Sequence, residues 1–355
     1  MKADIRFIRL TGGVEEARER LWGCPMNGNG PTALPGFLTS ITIPTRGVDI
    51  SARPAMKFAF TASGFLIALL CVGQRHVRAD EKSYPRPDLL IEAKQLAQDD
   101  VARLFVILDA RSRTKYEAGH VPKARWVDHE VWAKAFGHGQ DAEVWSKRIG
   151  ARGIPSNTKV VIYDDNLTKD AARIWWILRY WGVEDVRLLN GGWKAWEDGN
   201  HRTETAVAFP TPVEFVATPR PERLATKEQL LKSLGGGKLQ IIDARSEREF
   251  CGIEKMANKR AGAIPGAKQL EWVDLIDRKT NRFKPADELR RLFASAGISL
   301  DRAIATHCQS GGRASVMAFG LELMGSKDVS NYYPSWAEWS SANDTPVISG
   351  TPKEK

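Results

Sequence analysis

The chain has 355 residues, 43% of them hydrophobic, with 52 Lys and Arg against 43 Asp and Glu and a formal charge of +9. That length predicts two domains of about 100 to 200 residues each, with a surplus. The ten Lys and Arg and five Asp and Glu of residues 1–79 carry five of the nine charges, and the +4 that remains is interspersed rather than gathered in a basic stripe. This excludes nucleic acid as a main partner and leaves a mild attraction for small anions.

In chain order, residues 1–55 are rich in Gly, Pro and Thr without sustained periodicity. They are read as an extension from an upstream start codon, outside the fold. Residues 56–79 have the layout of a secretory signal: Met56 and Lys57, an uncharged stretch over 58–72, then Arg75, Arg78 and Ala79 before Asp80. Cleavage is expected after Ala79, and the mature chain is expected to be periplasmic or secreted. The uncharged run is short of the ~20 residues that span a bilayer, so no stable membrane insertion is expected after cleavage. Bulky Leu70 before Cys71 argues against lipid attachment there. Cys24 and Cys71 leave with the front segment, and the remaining Cys251 and Cys308 are too few for a disulfide scaffold. A bridge between them would silence a reactive thiol; Cys251 is read instead as an ordinary, partly buried one.

Residues 88–200 and 223–350 each alternate short apolar runs with amphipathic stretches. Strands are predicted over 103–109 and 159–163, with a helix over 171–181 that places Ile174, Leu178 and Trp181 on one face. The later half offers strands over 239–243 and 303–306 and a helix over 314–324. This predicts an α/β fold: two domains, each a mainly parallel sheet flanked by helices, with reactive groups where strands end and helices begin. Between them, residues 201–222 contain Pro210, Pro212, Pro219 and Pro221 and form the linker, with 213–217 as an extended edge.

The halves are copies. Asp109-Ala110-Arg111-Ser112 recurs as Asp243-Ala244-Arg245-Ser246, an offset of 134. Gly119-His120-Val121-Pro122 recurs as Gly262-Ala263-Ile264-Pro265, and Trp193-Lys194-Ala195-Trp196 as Trp336-Ala337-Glu338-Trp339, both at 143. The nine residues gained fall in the polar stretch 251–260. Two copies of this size exclude a solenoid. The many tryptophans are read as core and interface filler.

Cys308-Gln309-Ser310-Gly311-Gly312-Arg313 carries the chemistry. A cysteine after a strand, followed by glycines that let the chain curl into a helix, makes an anion nest of inward N–H groups. A free thiol ionises near pH 8.5. Lowering that to about 6.5 takes roughly 2.7 kcal/mol, and a helix terminus supplies about 0.3 to 1, or about 2 at most. A cation must help, and Arg313 at the far lip is the expected one. Stepping back 143 residues from Cys308 gives Asp165, and a carboxylate cannot carry sulfur, so the first half is expected to be catalytically inactive.

The repeated anchors, closed by the cysteine loop and the paired tryptophans, resemble the tandem rhodaneses, sulfurtransferases of the thiosulfate or 3-mercaptopyruvate type. The resemblance spans roughly 88–347. It implies sulfur transfer through a persulfide on Cys308: the thiolate takes the outer sulfur of thiosulfate, sulfite departs, and the sulfur passes to cyanide or another thiol, with backbone N–H groups holding the anionic sulfur. It implies no metal or organic cofactor; the partners are a small anionic donor and a nucleophilic acceptor. Gln309, Ser310, Gly311, Gly312, Arg313 and Arg245 are the expected substrate-binding residues, with an ion pair to Asp243 as the alternative for Arg245. His307 is expected to point to the opposite side of the strand end and not to act as base. Thiosulfate enzymes of vertebrate type resemble Cys-Arg-Lys-Gly-Val-Thr in this loop and mercaptopyruvate enzymes Cys-Gly-Ser-Gly-Val-Thr. Here Gln309 and Ser310 replace the adjacent cations and Arg313 restores one, which favours thiosulfate. Four residues between Cys308 and Arg313, where phosphatases have five, make a ring suited to sulfur rather than phosphoryl. A non-turnover persulfide carrier would use the same loop. Nothing in the sequence specifies an oligomer.

Overall fold

A computed structural model describes residues 83–349. The export segment read at 56–79 and the extension at 1–55 lie outside the described residues. Among the described residues, no helix is long and apolar enough to cross a membrane.

Strands β1 (Leu90–Ile91), β2 (Phe105–Asp109), β3 (Arg125–Trp126), β4 (Lys159–Tyr163) and β5 (Asp185–Leu189) form one parallel sheet in the order β1-β5-β4-β2-β3. Strands β6 (Gln240–Asp243), β7 (Lys268–Gln269), β8 (Ile276–Asp277), β9 (Arg282–Phe283), β10 (Ile304–His307) and β11 (Val329–Asn331) belong to the second half. Four of them make a parallel sheet ordered β11-β10-β6-β7, and β8 and β9 pair as a small antiparallel ribbon. Where β1 lies in the first sheet, the second has a single parallel bridge from Leu224 to Asn331.

The near-continuous apolar runs of β2 and β4 reflect a sheet covered on both faces. Alternate residues go to opposite layers: Val106, Leu108, Val160 and Ile162 join one core, and Ile107, Val161 and Tyr163 another. The second sheet repeats this, with Ile242 and Ile304 on one side and Ile241 and Ala305 on the other. The inner layers of both halves are one continuous core. Its seam is formed by the helices Lys169–Tyr180 and Gly312–Leu323. There Trp175 meets Phe319 edge-on at 4.9 Å, and Tyr333 stacks on Trp176 at 5.3 Å.

The proline-bearing segment has no regular structure up to the turn Pro221–Arg223. It is strapped to the first half by hydrogen bonds from the N–H groups of Val213, Thr218 and Arg220 to the carbonyls of Gly150, Trp181 and Tyr180. Phe215 and Ala217 are buried there.

The register corrects one expectation. Asp109 lies opposite Tyr163, and Asp243 lies opposite His307, so the residue after each strand, Asp164 and Cys308, is the true counterpart. The carbonyls of both accept the N–H of the tryptophan that opens the repeated pair, Trp193 and Trp336 respectively. The expected counterpart, Asp165, is displaced because the first loop holds one more residue before its helix. Asp165 instead forms an ion pair with Lys115.

Candidate active site

Asp164 shows what this position is built to hold. Its carboxylate accepts the backbone N–H groups of Asn166, Thr168, Asp170 and Ala171 at 2.8–3.1 Å, an anion held at a helix start. Burial and the neighbouring Asp170 raise its pKa to about 6 against the pull of those N–H groups. In the second half, Cys308 stands in that place before the helix Gly312–Leu323, whose first turn has no side-chain cap.

Cys308 is a free thiol and is 1% exposed. Its loop is stapled from below by Ser335, whose hydroxyl accepts the N–H groups of Cys308 (3.1 Å) and Gly311 (3.2 Å) and donates to the Tyr332 carbonyl. The carbonyls of Cys308 and Gln309 accept from the N–H groups of Trp336 and Ala337. Ser335 leaves no local pattern in the sequence, and its reason is conformational. The first half has Gly192 at that position, with φ near 55°, and Ser335 keeps the same left-handed backbone at φ 58°, a conformation a serine rarely adopts.

The two glycines have separate reasons. Gly311 has φ 82°, and a Cβ there would fall 2.6 Å from the Tyr333 ring. At Gly312 a Cβ would lie 2.8 Å from Cζ of Arg173, a residue of the first half. Arg173 is a second residue the sequence did not mark, because its approach depends on the packing of the two seam helices. Gln309 exchanges two amide hydrogen bonds with Asn258, at 2.7 and 3.0 Å, so the stretch gained by the second half is locked onto the loop. Ser310 is exposed and lines a groove with Arg173 and Tyr333. Burial pushes the Tyr333 hydroxyl up to about 12.

Two expected substrate-binding cations are engaged elsewhere. Arg245 is 1% exposed, grips Asp243 with a shortest contact of 2.6 Å, donates to the Gly262 carbonyl and lies over Trp336. Arg111 makes the same set of contacts with Asp109, Gly119 and Trp193 in the half that lacks the cysteine, so this is a framework staple and not a donor site. Arg313 is paired in fork geometry with Glu249 at 2.6 and 2.9 Å. Glu249 also caps its own helix through Ser246. Burial pushes Glu249 up, but Arg313 and Ser246 outweigh it and hold the carboxyl below its ordinary range. Arg313 therefore shapes the loop with its charge largely compensated by Glu249, and it still lies near enough to Cys308 to interact with an anion there, as expected of it. His307 is wholly buried beside Asp243 at 3.6 Å, and burial lowers its pKa despite the aspartate.

Among the described residues, no cluster of His, Cys, Asp and Glu has the makings of a metal site. The described residues form a duplicated α/β protein with, among them, a single thiol-bearing loop between a parallel strand and a helix, the other loop being filled by its own carboxylate.

The Rhodanese-like domain model matches residues 90–198 and 226–342. The chain is 32% identical over 266 residues to the thiosulfate sulfurtransferase of Pseudomonas aeruginosa, covering 73% of this chain and 96% of that one. It is likewise 32% identical over 250 residues to the sulfur carrier protein TtuD of Thermus thermophilus, covering 66% and 87%. Among solved structures, the anaerobic ergothioneine biosynthesis enzyme of Chlorobium limicola superposes with a TM-score of 0.67 at 25% identity, covering 76% of this chain and 72% of that one. The chain belongs to the rhodanese-like sulfurtransferase family, as a tandem member.

Proposed function

We propose that this protein is a thiosulfate sulfurtransferase working through a Cys308 persulfide. The observation that carries the reading is the replacement of Asp164 by Cys308 at a position whose counterpart loop folds around an anion. A thiolate or persulfide takes the place of the carboxylate. The thiolate attacks the outer sulfur of thiosulfate, the sulfur–sulfur bond breaks, and sulfite leaves with the electron pair. Cyanide or a thiolate then removes the outer sulfur and restores the thiolate. The N–H groups of the loop other than those of Cys308 and Gly311, which Ser335 takes, stabilise each anionic form in turn.

Thiosulfate is favoured over 3-mercaptopyruvate because two bacterial relatives named thiosulfate sulfurtransferase are matched over 96% of their length, against 79% for the 3-mercaptopyruvate sulfurtransferase of Mus musculus. A second reading, a persulfide carrier without turnover on small acceptors, is supported by the similarity to the Thermus sulfur carrier. The segment at 56–79 supports export, with work in the periplasm or outside the cell. Purified protein incubated with thiosulfate and cyanide is expected to release thiocyanate over many cycles, and Cys308→Ser to release none. Mass spectrometry after donor exposure is expected to find one added sulfur atom on Cys308. A single stoichiometric transfer would favour the carrier, and an unmodified Cys308 would end both readings.

A further inference from the structure

We infer that Arg173, a residue of the first domain, holds the anionic end of the sulfur donor for Cys308 of the second. This rests on the sulfur-transfer reading above. Thiosulfate brings two negative charges, and the two arginines nearest in sequence to the site's motifs are compensated by Asp243 and Glu249. Arg173 approaches from the second turn of its own helix, Lys169–Tyr180, and lies against Gly312, the first residue of the active-site helix. Glycine at 312 admits it, since a Cβ would fall 2.8 Å from both Cζ and Nε. Among the described residues, the buried Nε has no hydrogen-bond partner, and the guanidinium lies near enough to the Tyr333 hydroxyl to pull its pKa down against burial.

A cation set against the positive end of a helix is repelled unless an anion lies with it. The first half supplies such an anion internally as Asp164; the second half has Cys308 there and Arg173 in addition. A groove of about 370 Å³ opens at this point, lined by Arg173, Lys134, His138, Ser310 and Tyr333, with Glu130 as the sole carboxylate of its lining. A planar guanidinium fork suits two oxygens of a sulfonate. With the sulfonate end on Arg173, the outer sulfur is presented to Cys308. Charge is conserved: thiolate and thiosulfate become persulfide and sulfite, and the leaving sulfite stays on the arginine. The half without a nucleophile thus completes the site.

The test separates anion holding from sulfur transfer. Sulfite is titrated calorimetrically into the intact two-domain protein carrying Cys308→Ser, with Arg173 present, Arg173→Gln or Arg173→Lys. The Gln variant is expected to bind sulfite at least about tenfold more weakly and the Lys variant within about threefold of the parent, as loss or retention of a charge-assisted contact requires. With Cys308 restored, the Gln change is expected to raise KM for thiosulfate by about the same factor, with kcat altered far less. Unchanged sulfite affinity in a folded Gln variant, or a Lys variant as weak as Gln, overturns the role of Arg173. If sulfite binding depends on Arg173 while the Cys308 protein transfers no sulfur, the arginine assignment stands and the sulfurtransferase reading falls. Thermal melts check folding. Should the Gln variant unfold, Gly312→Ala, which crowds the guanidinium from the other side, is expected to weaken sulfite too, and unaltered binding there overturns the inference.

Discussion

At the residue scale, the site is a set of charges arranged in compensated pairs. Glu249 is the hub, since it caps its helix through Ser246 and neutralises Arg313. Its depressed pKa sets a direction for pH: the contribution is complete above the unfolded carboxyl value, near about 4.3, and is lost as pH falls through the lower folded value. Glu249→Gln is expected to cost roughly 3 kcal/mol near neutrality, as removal of one partner from a mostly buried pair does. The gap between parent and variant should close on acidification below about pH 4. Thermal melts from pH 3 to 7 read this, and a gap that does not change with pH would show that the pair contributes nothing. The same scale explains which residues could be read from the sequence. Cys308 and its glycines stand in one short run, whereas Asn258, Arg173 and Ser335 come from a loop, another domain and a backbone strain, none of which leaves a local pattern. Arg245 was visible but ambiguous; its duplicate Arg111, in the half without a cysteine, resolves the role once both sets of contacts are seen.

At the element scale, strand type followed directly from the chain. Runs such as Lys159-Val160-Val161-Ile162-Tyr163 are apolar on both faces and leave few alternatives. The loop after the strand did not follow so simply. A one-residue difference in its length shifted the counterpart of Cys308 from Asp165 to Asp164, because a constant offset cannot see an insertion lying between two anchors. Loop curvature is set by Gly311 at φ 82°. Gly311→Ala is expected to cost about 2 kcal/mol or more, from a left-handed alanine and a Cβ pressed on the Tyr333 ring. It should also reduce kcat/KM for the donor more than it lowers Tm would explain. Parallel melts and kinetics decide this, and unimpaired turnover would show that the curl is not needed. Replacing Asn258 by Ala frees Gln309 from its two amide bonds and should have a milder effect of the same kind.

At the scale of the whole molecule, the duplication was legible and the seam was not. Repeated anchors announced two domains, but which faces met depended on the size of side chains such as Trp175, Trp176, Phe319 and Tyr333. Because the inner layers form one core, the halves are expected to unfold together. Phe319→Ala, at a wholly buried position, should cost about 3 to 5 kcal/mol and keep a single denaturant transition at a lower midpoint. Two separated transitions in the parent would show that the halves are energetically independent.

The first loop, closed around Asp164, also bears on ancestry and engineering. Mutating that aspartate to cysteine would leave the extra loop residue in place, so a thiol would enter a ring of altered circumference. Building a second reactive centre there needs a substitution and a deletion at once. A copy whose loop has closed around its own carboxylate is therefore two separate changes away from a thiol-bearing ring.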